Sequence, residues 1–136
     1  MRLAIRSALA CALVLALSGC GSHAGGHVKG QVVTGPDAAP TDSVLVVRLA
    51  DATKRPARLV AEDRQALVPG WEAPSAHPPR TFDVAYPPQA IAPGHVYVMW
   101  AAVYEHDQLT AASVVQTVTI RGGGASPVSL GLAPAS

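Results

Sequence analysis

From residue 28 onward, apolar and polar side chains alternate with period two in short runs separated by turn residues, the pattern of half-buried strands. Residues 28–34 (VKGQVVT) predict a first strand, ended by Gly35-Pro36-Asp37. Residues 43–51 (SVLVVRLAD) give the clearest alternation: with Leu45, Val47 and Leu49 toward the core, Val46, Arg48 and Ala50 face outward. Lys54-Arg55-Pro56 interrupts the chain before a short run at 57–62. Residues 64–79, with Pro69, Pro74, Pro78 and Pro79, predict no regular element of any length. In residues 82–86, Phe82, Val84 and Tyr86 point inward, and residues 95–105 predict the longest strand. Its two faces, Tyr97, Met99, Ala101 and Val103 against Val98, Trp100, Ala102 and Tyr104, are both largely apolar. That suits a central strand, or one whose outer face is covered. A polar turn at His106-Asp107-Gln108, runs at 109–113 and 114–121, three glycines at 122–124 and a closing edge strand at 128–132 complete the chain. Helix competes only over 101–113, where flanking β-branched and aromatic residues favour strand. About seven short strands predict an all-β fold, an antiparallel immunoglobulin-like β-sandwich, without the Cys…Trp…Cys pattern of antibody domains.

The first nineteen residues follow another logic. Arg2 and Arg6 precede an apolar run at 7–17 (SALACALVLAL), ended by Ser18 and Gly19. About a dozen residues are too few to span ~30 Å of hydrocarbon, so the segment reads as a signal peptide. Leu17-Ser18-Gly19-Cys20 resembles the lipobox of bacterial lipoproteins. The resemblance implies recognition of Leu17, Ser18 and Gly19 by the signal peptidase, and a lipid on the thiol of Cys20. Two or three acyl chains make release negligible. Gly21, in place of Asp, resembles the pattern sorted to the outer membrane, facing the periplasm. The chain thus divides into a signal peptide (1–19), a lipidated tether (20–27) and a β-sandwich domain (28–136). Seven small residues at 21–27 span only ~15 Å, so the domain stays close to the bilayer.

A length of 136 residues, 49% of them hydrophobic, fits one domain with a real core. A formal charge of +1 excludes a nucleic-acid footprint. Without residues 1–19 the chain carries eight Lys/Arg against nine Asp/Glu, which predicts a nearly neutral domain with no polybasic patch to supplement the lipid. Cys11 leaves with the signal and Cys20 becomes a thioether, so no intrachain disulfide forms. His23 and His27 lie in the tether, and His77, His95 and His106 fall in a loop, a strand start and a turn, which predicts no metal site and no cofactor. No serine has a G-x-S-x-G setting, and the scattered Asp83, Glu105 and Asp107 define no acid–base pair, so no catalytic residue is assigned. All six aromatics lie within 71–104. Phe82, Tyr86 and Tyr97 read as core; Trp71, in the proline-rich loop, with the outward Trp100 and Tyr104 forms a candidate binding surface. Alternatively, the loop folds over that face and Trp71 packs on Trp100. The 128–132 strand, lacking charge, is a second candidate, as an edge open to an added peptide strand.

The lipobox is followed by Val28-x-Gly30-x-Val32, Val47-x-Leu49-x-Asp51 and Pro79-x-x-Phe82-x-Val84. Ile91-x-Pro93-Gly94-x-x-Tyr97-x-Met99-x-Ala101-x-Val103, Leu109 and Val118 come next. This order and spacing resembles the YbaY/YscW family of small lipoproteins, which includes secretin pilotins. The resemblance implies a β-sandwich lipoprotein without catalytic machinery, whose pilotin-type members bind the C-terminal tail of a secretin subunit and carry it to the outer membrane. The expectation is a membrane-anchored, non-enzymatic envelope lipoprotein that binds an envelope protein segment. A binder of a small glycan or lipid, and an enzyme or metal carrier, are the alternatives.

Overall fold

The computed structural model describes residues 25–34, 43–67 and 80–135. Ten strands follow in order: β1 (Gly26–Thr34), β2 (Ser43–Asp51), β3 (Arg58–Ala66), β4 (Arg80–Tyr86), β5 (Tyr97–Glu105), β6 (Gln108–Ser113), β7 (Gln116–Val118), β8 (Ile120–Arg121), β9 (Gly124–Ala125) and β10 (Val128–Pro134). One turn of 3₁₀ helix, Pro88–Ala90, interrupts them. Among the described residues no helix is long and apolar enough to cross a membrane.

The strands form one continuous hydrogen-bonded sheet, β3-β2-β5-β6-β10-β1-β9-β8, with β4 on β1 and β7 on β5. It folds over at the β6–β10 junction into two layers, β3-β2-β5 with β6/β7, and β4-β1-β10. Leu45, Val47, Leu49, Met99, Ala101 and Val103 from the first layer meet Val28, Val32, Val84 and Leu130 from the second, all fully buried. Phe82, Tyr86 and Tyr97 join them as the alternation predicts. The all-β sandwich is therefore the observed fold, with β1 and β10 paired in parallel where a wholly antiparallel arrangement was expected.

The departures from the sequence reading have local causes. β3 runs to Ala66, well past the expected short run at 57–62 and into the segment read as irregular. Its polar residues hid it. Asp63 and Gln65 lie on the inner side of this edge strand, where they bond to the neighbouring edge, β4: Asp83 N–H donates to Asp63 Oδ2 (3.3 Å) and Gln65 Nε2 donates to the Thr81 carbonyl (3.0 Å). A bulge between Leu49 and Ala50 leaves Val60 unpaired. The run at 114–121 forms β7 and β8, and β6 ends before it where Ser113 Oγ accepts the Ala101 N–H (2.8 Å), a side chain taking the place of a ladder bond. The strand expected at the edge is interior: β10 pairs with β1 over 128–132 and with β6 over 132–134, and Gln116 Nε2 donates to the Ser129 carbonyl. Among the described residues, the second side of 128–131 meets the Gln116 side chain and not a strand. The β5–β6 connection is the expected polar turn, with His106 (φ 48°) and Asp107 (φ 63°) both left-handed, as a two-residue hairpin requires.

The register fixes which connections share an end. Asp51 lies opposite Arg58 and Tyr97, Tyr97 opposite Val118, Gly26 opposite Tyr86, and His27 opposite Gly124. The start of β1, the β2–β3 turn, the entry to β5 and the β8–β9 turn therefore form one end of the sandwich. The His106-Asp107 turn lies at the other, with Ser43 opposite Glu105. The expectation of no polybasic patch fails at the first end. Lys54, Arg55, Arg58 and Arg121 are all exposed there, brought together from separate turns by the pairing.

Candidate functional site

Alternation along β2 and β5 turns Val44, Val46, Arg48 and Ala50, and Val98, Trp100, Ala102 and Tyr104, to the outer face of the first layer. The pairing sets them in rows: Val44 opposite Tyr104, Val46 opposite Ala102, Arg48 opposite Trp100. Val46 (1% exposed), Ala50 (1%) and Ala102 (3%) are nevertheless buried, so both faces of this layer are covered. Arg48 explains part of the cover. Its guanidinium carbon lies 5.8 Å from the centroid of the Tyr104 ring, two rows away, so its apolar stem must cross above Val46 and Ala102. A larger residue than Ala102 would lift that stem.

The head group is held by two hydrogen bonds, and its carboxylate partner takes a third from Arg64. Arg48 Nε donates to Glu62 Oε2 (3.2 Å) and Nη1 donates to the Tyr104 hydroxyl (3.3 Å), while Arg64 Nε donates to the other Glu62 oxygen (2.7 Å). One carboxylate thus bridges two guanidinium groups. The bonds from Arg64 and then Arg48 hold the Glu62 carboxyl below its usual range, against the opposing effect of desolvation. Desolvation acts to lower the pKa of Arg48, but the bonds to Glu62 and Tyr104 outweigh it and leave the guanidinium above its ordinary value. Beside this group lies a hollow of about 400 Å³ bounded by Val44, Arg48, Arg64, Tyr104, His106 and Asp107. Each guanidinium has five N–H donors, and the contacts above use two from Arg48 and one from Arg64. Among the described residues the hollow therefore combines spare guanidinium donors, the Tyr104 ring, the Asp107 carboxylate and one aliphatic side chain, Val44. That chemistry suits the carbonyls, carboxylates and side chains of a peptide.

Of the residues assigned from sequence, Trp100 and Tyr104 lie half-buried on this face. Trp71, the lipobox residues Leu17, Ser18 and Gly19, and Cys20 lie outside the described residues. Arg48, Glu62 and Arg64 were not picked out. Their signal was present: Arg48 interrupts the apolar outer positions of β2, and Glu62 and Arg64, two apart on a strand, share a face.

The described histidines lie apart from one another. His27 Nδ1 is 2.7 Å from Asp83, His95 Nδ1 is 2.6 Å from Asp51, and His106 is 4.0 Å from Glu105. Among the described residues no three His, Cys, Asp or Glu side chains converge as metal ligands. The His95 contact belongs to a clamp at the entry to β5. Thr53 and Val96 complete it, with Thr53 N–H donating to Asp51 Oδ1 (2.9 Å) and Val96 N–H to Thr53 Oγ1 (2.9 Å). Next to it, the 91–97 connection and residues 117–122 bound a second hollow of about 510 Å³.

The covered sheet face and the polar seam belong to a small all-β sandwich. The family model of the type III secretion system lipoprotein chaperone (YscW) matches residues 24–132, and the chain belongs to that family, a family of chaperones and not a class of enzymes. Compared by sequence with curated proteins, the chain matches none. Among solved structures it is similar to an alternative pilotin from the type II secretion system of Vibrio cholerae. The TM-score is 0.65 at 20% identity, over 81% of this chain and 96% of that one, a likeness of fold.

Proposed function

We propose that the chain is a lipid-anchored, non-enzymatic pilotin. In this reading the lipid on Cys20 holds it in the outer membrane facing the periplasm, and the outer face of the first layer, with Trp100 and Tyr104, grips a segment of a secretin subunit. The observation that carries the reading is the family match, which spans almost the whole β-domain. The lipobox at 17–20 and the donor-rich hollow beside Tyr104 support it. Trp71 joins the contact surface as an aromatic anchor from the connection between β3 and β4.

The test separates anchor from grip. Cys20→Ser should leave the secretin out of outer-membrane fractions, because the carrier no longer partitions there. Trp100→Ala with Tyr104→Ala should weaken capture of the secretin tail at least about tenfold, as loss of aromatic anchors does. Secretin that reaches the outer membrane equally well in a strain lacking the protein would end the proposal.

A further inference from the structure

The eight Lys and Arg side chains among the described residues fall into two groups. Four are engaged on the strands: Lys29 with Asp83, Arg48 and Arg64 with Glu62, and Arg80 with Gln65 and the Ala66 carbonyl. The other four, Lys54, Arg55, Arg58 and Arg121, are exposed and make no ion pair among the described residues. These are the four that the register gathers at the end where β1 begins. Of the described acids near that end, Asp51 is already committed to Thr53 and His95, and Asp83 to His27 and Lys29. Glu105 and Asp107 lie at the opposite end. These cations are spread across roughly three strand spacings, ~15 Å, and among the described residues nothing compensates their mutual repulsion. Two exposed apolar side chains lie beside them: Leu59 (51% exposed), opposite Ala50 on β3, and Val96 (48%), whose carbonyl accepts the Ala52 N–H.

Chain geometry adds a second constraint. Five residue steps separate Cys20 from Gly25, and each spans at most ~3.6 Å, so the sulfur's backbone position lies within about 18 Å of the basic end. The opposite end lies a nine-residue strand further away, ~30 Å. A lipid on Cys20 therefore keeps the basic end close to the bilayer, whereas the other end can stand a strand length away.

We infer that the end bearing Lys54, Arg55, Arg58 and Arg121, with Leu59 and Val96 entering the headgroup region, is a docking surface for anionic phospholipid. It rests on the anchored reading proposed above and deepens it. Cations near an anionic surface and apolar side chains at the headgroup level act together with an acyl anchor. The strands then stand on the membrane, and the outer face with Trp100 and Tyr104 points sideways, open to a partner.

The processed, lipidated protein reconstituted into vesicles tests this. One fluorophore is placed through Val96→Cys and, in a separate protein, through Asp107→Cys at the opposite end; quenching by nitroxide-labelled headgroups is compared. In phosphatidylglycerol/phosphatidylethanolamine vesicles the Val96 label should be quenched several-fold more than the Asp107 label. Neutralising Lys54, Arg55, Arg58 and Arg121 to Gln should lower the docked-to-undocked ratio by up to about three orders of magnitude, and phosphatidylcholine should act likewise. Unchanged thermal unfolding of the Gln variant, whose four positions are exposed, separates docking from folding. Equal quenching at the two sites, or quenching indifferent to lipid charge, overturns the docking surface. Protection of the four cations by an acidic protein segment but not by vesicles overturns it too. Protein that fails to float with any vesicle instead removes the anchor at Cys20 and the inference with it.

Discussion

In the first layer β2 and β5 are buried on both faces, whereas β1, β4 and β10 of the second are buried on one and carry His27, Lys29, Gln31, Thr81, Asp83 and Ser129 into solvent on the other. The first layer is closed from outside by a long side chain, Arg48, reaching across small residues to Tyr104. The second is closed from inside by glycine set opposite an aromatic ring, Gly30 with Phe82 and Gly26 with Tyr86. A cover made of flexible side chains can be displaced by a ligand. A contact between backbone and ring cannot, so the binding proposed above falls on the layer whose cover can move, and the second layer is the more rigid.

Enlarging one small residue in each layer tests that difference most strongly. A methyl at Gly30 would collide with the Val128 carbonyl and the Phe82 ring, so Gly30→Ala should cost about 2–3 kcal/mol by denaturant unfolding. Ala102→Val adds more volume beneath the movable Arg48 stem and should cost under about 1 kcal/mol. Equal losses would break the comparison. Removing an oxygen sharpens it. Among the described residues the buried Tyr86 hydroxyl has no hydrogen-bond partner, and its desolvation raises the phenol pKa, so Tyr86→Phe should stabilise the domain by about 1 kcal/mol.

The smallest effect concerns acid. Bonds from the Thr53 side chain, His95 and the Thr53 backbone hold Asp51 down to about 2, from an ordinary 3.8. A carboxyl whose pKa is lower folded than unfolded stabilises the fold above its unfolded value, and that contribution disappears as pH falls through its folded value. Thermal unfolding of the wild type should therefore decline between about pH 4 and pH 2. Asp51→Asn should flatten that part of the decline, since no carboxylate remains to be protonated.

Much of the fold could be read from residues 43–51 and 95–105, where apolar side chains at every second position state directly which face is buried. β3 could not be read this way. Its Asp63 and Gln65 face inward at an edge, where they bond to β4 and pack little apolar surface, so alternation failed to mark them. For the candidate site, Trp100 and Tyr104 followed from periodicity, but the Arg48–Glu62–Arg64 group depended on β2 and β3 pairing with Arg48 opposite Glu62.

Local alternation, turn residues and the lipobox are properties of neighbouring residues, so sequence alone determined the strand-rich class, the inward side chains and the expectation of an anchor at Cys20. Only tertiary structure decided that β10 lies inside the sheet, that Arg48 reaches Tyr104, and that Arg58 and Arg121, more than sixty positions apart, lie at the same end. The physical reason is that strand register is set by contacts distant along the chain. Net charge is a sum over residues and is blind to which ends of the strands those contacts bring together.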